Sequence, residues 1–213
     1  MLYQREKMMK NENSNEQLIL EAAEEEFLEK GYAGSKTTAI AQKAGVTHTM
    51  LHYYFRTKEK LFQKVFQEKV HLIGDSFSQQ INDNLSLEEI LRKFIEFHFD
   101  FIQRNPRLLN FVYNEVVLNK GNRTFLLEQI APKITGVFGR IEKLLTEEIA
   151  KGKVRPIRVY DLMLNIVSIN IVTFMLLPIL GDLLSGKNSE SLDRLILERR
   201  ESNVRFILNA LRI

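Results

Sequence analysis

Between Thr37 and Leu61 the chain reads TTAIAQKAGVTHTMLHYYFRTKEKL, which sets hydroxyls, imidazoles, phenols and cations at close spacing. On a helix beginning after Thr47, with about 100° per residue, Leu51, Tyr54 and Phe55 fall on one side. His48, Thr49, His52, Tyr53 and Arg56 fall on the other. The first side suits a core. The second offers donors and acceptors with little apolar area, which suits base edges and phosphates. The charge agrees: residues 1–35 carry four basic and eight acidic side chains, whereas residues 36–69 carry seven basic and two acidic ones. A basic stretch inside a chain of net charge +3 predicts a polyanionic partner.

Positioning that face requires a particular run of elements. A short helix from Thr37 to Ala44, a turn at Gly45 and a second short helix from Thr47 to Phe55 make a helix-turn-helix, whose second helix can enter a DNA major groove. Before it, Ser14 and Gln17 fit a capping box. A stripe of Leu18, Ile19, Ala22, Ala23 and Phe27 follows, stopped at Gly31. After it, Thr57 caps a helix carrying Leu61, Phe62, Val65 and Phe66. Ser86 with Glu89 opens another that ends at Asn105-Pro106. Leu108–Leu118, Ile134–Ile149, Leu162–Leu180 and Leu197–Leu211 complete about nine helices, with no strand pattern. The fold class predicted is all-α. Residues 1–13 are polar and aperiodic and read as a flexible arm.

The same residues identify a family. Ala44, Gly45, Val46, Thr47, Leu51, Phe55, Lys58 and Leu61 follow its helix-turn-helix signature, and Phe27, Gly31 and Tyr32 its upstream pattern. The chain thus resembles the TetR family of bacterial transcriptional regulators over residues 14–65. The resemblance implies a DNA-binding domain at 14–60, with an effector-binding and dimerisation domain at 61–213. It also implies a homodimer through the last two helices. The partners implied are double-stranded DNA and a small, largely apolar effector whose arrival releases the DNA. It assigns DNA contacts to Thr37, Thr47, His48, Thr49, His52, Tyr53, Tyr54 and Lys58. His52 stands where Tyr is common and Thr49 where Gly or Ala is common, so base preference departs from the usual pattern. The function expected is that of a cytoplasmic regulator, a repressor in the first instance. The resemblance also implies an effector pocket lined by Phe94, Phe97, His98, Phe101, Phe111 and Phe138, residues whose spacing alone better describes a plain aromatic core.

Other functions are disfavoured by the residues at hand. The absence of cysteine excludes disulfide scaffolds, thiolate metal sites and thiol nucleophiles. His48 and His52, four apart, lack a third ligand nearby, so no metal site or cofactor is expected. The stretch Gly181–Asn188 nearly spells a phosphate-binding loop, but Asn188 lacks the hydroxyl for magnesium and no strand precedes it. No nucleophile–base pair supports an enzyme. The alternative from another class is a membrane-anchored helical interaction protein, because residues 162–181 are uncharged apart from their flanks and long enough to span a bilayer. Asn165, Ser168, Asn170 and Thr173 within that stretch argue for a buried or dimer-forming helix and against a membrane. The polar N-terminus has no signal-peptide pattern, which favours the cytoplasm.

Overall fold

The computed structural model describes residues 2–78, 85–184 and 190–212. These form α1 (Leu2–Gly34), α2 (Thr37–Lys43), α3 (His48–Phe55), α4 (Lys58–Ser78), α5 (Leu87–Arg104) and α6 (Leu108–Val112). A π-helical turn (Tyr113–Val117) leads to α7 (Lys120–Ala150), α8 (Val159–Leu184) and α9 (Glu190–Leu211). Among the described residues there is no strand, only an isolated antiparallel bridge between Val154 and Arg212. The all-α expectation holds.

Two compact units result, Met1–Ile73 with Asn110–Ile130 and Gly74–Leu109 with Ala131–Ile213. In the first, the stripe predicted on α1 is buried through Ile19, Ala23 and Phe27, together with Ile40, Leu51, Phe55, Leu61 and Phe62. Phe62 is the hub: Phe27 and Tyr32 meet it edge-on at 5.1 and 5.0 Å, and Phe111 packs at 5.7 Å. Such ring contacts add about 1 kcal/mol each beyond their burial. Gly31 breaks the helical conformation of α1 with φ 67° and ψ 175°, as its place in the sequence predicts. The backbone is helical from Leu2 onward, where the sequence reads as a loose arm. Lys, Glu, Gln and Met fill that segment with good helix formers and no Gly or Pro interrupts them.

The second unit is built on Leu87, Ile90, Leu91 and Ile95 of α5, Ile141 and Leu145 of α7, Leu162 and Ile166 of α8, and Val204 and Leu208 of α9. The predicted capping box opens α5: Ser86 Oγ accepts from the Glu89 backbone, and Glu89 accepts from the Ser86 N–H at 2.8 Å. A polar seam crosses this core. Asn170 Nδ2 donates to the Ile95 carbonyl at 3.0 Å and meets His98 Nδ1 at 3.2 Å, while Asn203 Nδ2 donates to Asn170 Oδ1 at 2.8 Å. The seam ties α5, α8 and α9 in one register, since a slip would strand buried amides. Burial pushes His98 down to about 4, so its ring is neutral near pH 7. Arg200 adds a bidentate pair with Asp100 at 2.7 and 3.0 Å.

Candidate nucleic-acid interface

The interface is set by two anchors. Leu51 and Phe55 on α3 are buried, and their spacing fixes which way the helix turns its remaining side chains. His48, Thr49, His52 and Tyr53 all lie on the exposed side, Tyr53 at 62% exposure. Tyr54 is half-buried, its ring 5.5 Å from that of Tyr53 and 6.3 Å from that of Phe55. The helix begins where Thr47 Oγ1 accepts the Met50 N–H at 3.1 Å, a side-chain cap worth about 1 kcal/mol. It ends at Arg56, which has φ 61° and is the one non-glycine residue with positive φ among those described. That conformation strains an L residue by about 1 kcal/mol.

The starts of the two short helices are joined directly. Thr37 Oγ1 and His48 Nε2 lie 3.0 Å apart, and the His48 and His52 rings stand nearly perpendicular with centroids 4.4 Å apart. Thr37, Thr47, His48 and His52 therefore form one hydrogen-bonding edge. Among the described residues no group of three metal-ligating side chains exists, so the two imidazoles stay a pair.

Cations divide into those already engaged and those open to a polyanion. Lys43 pairs with buried Glu26 at 3.2 Å and with Glu29 at 3.5 Å, and Lys64 pairs with Glu68 at 3.4 Å. Burial raises the Glu26 carboxyl, but Lys30 and Lys43 outweigh it and hold the group below its ordinary value. Lys58 donates to the Ser35 carbonyl at 2.7 Å and lies 4.7 Å from the centre of the Tyr32 ring. Its ammonium keeps two further hydrogens that can meet a phosphate, but its first task is to tie α4 to the α1–α2 connection. Lys36 and Lys60 are exposed, and Arg56 stands 6.0 Å from the Tyr53 ring centre. Arg56 is on the face that the spacing predicts; Lys36 and Lys60 are exposed cations beside it, marked in sequence only by their place at helix starts.

Glu115 also bears on this region, through the α1 backbone. It is buried on the π-helical turn and accepts the Tyr32 N–H at 2.6 Å. A Cβ at Gly31 would come within 3.0 Å of its Oε1, so this close approach needs glycine twice, for space and for φ.

The aromatic residues read as an effector pocket divide between the two units. Phe111 is buried in the first unit, 5.7 Å from Phe62 and 6.0 Å from Phe66. Phe94, Phe97, His98, Phe101 and Phe138 belong to the second unit and are half-buried. The Phe94 ring stacks on His98 at 6.1 Å and Phe97 on Phe101 at 6.2 Å. Phe99, not among them, is the fully buried ring, packed on Phe174 at 4.7 Å. A groove of about 550 Å³ does open in the second unit, but it is lined by Ile157, by Ser168 and Val172 of α8 and by Arg199 and Phe206 of α9. Of the loop resembling a phosphate site, residues 181–184 are the end of α8 and residues 185–188 lie outside the described residues.

Comparison with known proteins supports the reading of this face. Residues 19–65 match the model of the bacterial regulatory proteins of the tetR family. A fatty acid metabolism regulator protein of Bacillus subtilis is 26% identical over 147 residues, 69% of this chain and 74% of that protein. The transcriptional repressor NicS of Pseudomonas putida is 29% identical over 97 residues, and the chain spans 46% of its length. The crystal structure of the transcriptional regulator FadR from Bacillus subtilis, in complex with stearoyl-CoA, shares the fold. Its TM-score is 0.62 at 22% identity, over 91% of this chain and 98% of that one. A helix-turn-helix whose polar face is exposed therefore stands where residues 19–65 match the tetR-family model, on a chain similar to transcription regulators in sequence and in fold.

Proposed function

We propose that this protein is a ligand-responsive repressor acting in the cytoplasm. It binds a near-palindromic operator as a homodimer and is released by a small, largely apolar effector. The observation that carries the reading is the exposed face of α3, held outward by buried Leu51 and Phe55. Thr37, Thr47, His48, Thr49, His52, Tyr53, Tyr54 and Lys58 supply the DNA contacts, bases from the middle of α3 and phosphates from its start and from α4.

Support for the dimer comes from α8 and α9, which leave Leu164, Met175, Ile179, Leu183, Leu197 and Phe206 exposed. Apolar area of that extent calls for cover by a partner surface. The two recognition helices would then lie about 34 Å apart, one turn of DNA. Residues 61–213 would take the effector beside Phe94, Phe97, His98, Phe101 and Phe138. A ligand with a long apolar chain is supported by the acyl-CoA in the related FadR structure. The ligand acts through its differential affinity for the DNA-bound and released states.

Titrating the purified protein against DNA upstream of its own gene, with excess non-specific competitor, tests this. Two symmetric protected half-sites and steep weakening with salt are expected. No binding to that DNA or to a randomised library would overturn it. One observation favours the membrane alternative: Val159–Leu183 has a mean hydropathy of 2.1 and the length to cross a bilayer. Carbonate extraction separates the two, because an anchored protein stays in the membrane pellet.

A further inference from the structure

Recognition by α3 has a chemical sign that its geometry determines. His52 Nδ1 lies 3.0 Å from the backbone carbonyl of Arg56, whose own N–H donates back to the His52 carbonyl at 3.0 Å. A carbonyl oxygen only accepts, so the hydrogen of the neutral ring sits on Nδ1. The positive φ of Arg56 is what turns that carbonyl toward the imidazole instead of onward along the helix. His52 Nε2 is then a bare lone pair on the opposite side of the ring, with no hydrogen bond among the described residues. The ring is exposed, and the perpendicular ring of His48 at 4.4 Å limits its swing.

A lone pair facing a major groove has only one kind of partner there. Guanine shows N7 and O6, thymine shows O4, and all three accept; the donors are the exocyclic amines of cytosine and adenine. We propose that His52 is a specificity-determining residue that accepts a hydrogen bond from a cytosine N4 or adenine N6 amine in each half-site. This rests on the reading of α3 as the recognition helix. Arg56 is the positioning residue, acting through the tautomer it imposes.

The test uses the full-length protein and DNA that differs by single atoms. Selection from a randomised operator library with wild type and with His52→Ala identifies the base pair whose preference the substitution relaxes. At that pair the amine-bearing base is replaced by its analogue lacking the amine, purine for adenine or 2-pyrimidinone for cytosine. In a separate operator the purine of the pair is replaced by its 7-deaza form, which lacks the N7 acceptor. Loss of the amine is expected to weaken wild-type binding about fivefold when one half-site is altered, beyond any loss seen with His52→Ala. The 7-deaza operator should bind wild type unchanged. A loss with 7-deaza and none with the amine-free base would show that the imidazole donates, and would overturn the proposal. So would a His52→Ala protein, folded by circular dichroism, that relaxes no base pair. Failure of wild type to bind any operator would instead break the regulator reading, and this inference with it.

Discussion

The two faces that α3 and α8 leave exposed are opposite in kind. On α3 the buried anchors are Leu51 and Phe55, and the outward side is imidazole, hydroxyl and phenol, groups that water satisfies. On α8 the buried side is Leu162, Met163, Ile166 and Asn170, and the outward side is Leu164, Val172, Met175 and Ile179. Water hydrogen-bonds the first face and is ordered or excluded at the second. A polar face can therefore engage and leave its partner as salt and ligand dictate, whereas an apolar face stays covered. The proposed function uses both kinds: a reversible contact for DNA and a lasting one between two copies of the chain.

The sharpest way to break this contrast is to charge the apolar face. Met175→Asp with Ile179→Asp should leave the chain folded, since both side chains are exposed, but convert it to a monomer by sedimentation. Operator affinity should then fall about 100-fold or more as the second half-site is lost. A variant that stays dimeric would mean that α8 does not join two copies, and monomers that bind the operator undiminished would mean that binding needs only one.

Next comes the anchoring side of α3. Leu51→Ala removes a side chain only 1% exposed, and a loss of about 3 kcal/mol in chemical denaturation is expected. A loss under about 1 kcal/mol would show that Phe55 alone holds the helix.

Acid should act on the second unit through His98. Its folded value of about 4 lies below the ordinary value of 6.5, so the unfolded chain binds the proton first. The neutral ring's contribution is complete above about pH 6.5 and is lost as pH falls toward about 4. Over that window the stability lost on acidification should be smaller in His98→Gln, by about 3 kcal/mol. An unchanged slope would place the acid response elsewhere.

The smallest effect belongs to the cap. Thr47→Ala should cost about 1 kcal/mol of stability, and Thr47→Ser almost nothing, because the hydroxyl that accepts from Met50 is kept. If Ala and Ser behave alike, the cap contributes nothing to α3.

How much of this was legible beforehand depends on the range of the interactions. The Ser86–Glu89 box, the cap at Thr47 and the turn at Gly31 are decided within about four residues, whereas the start read at Ser14 falls inside α1. The spacing that buries Leu51 and Phe55 is equally local. The exposed face of α3 follows from them, which is why its residues could be named from order alone. The aromatic set could not be partitioned that way. Phe111 packs in one unit while Phe94 and Phe138 pack in the other, because each ring goes to the core that its own turn of helix faces.

The sequence by itself determined the element types, the helix-turn-helix and the exposed side of α3, since periodicity and capping are short-range. Only the tertiary structure decided that Lys58 is tied to Ser35, that Glu115 reaches the Tyr32 N–H and that Asn170 bonds the Ile95 carbonyl. Those partners lie 23, 83 and 75 residues apart. A buried polar group must find a partner somewhere, but chain order does not say where; packing does.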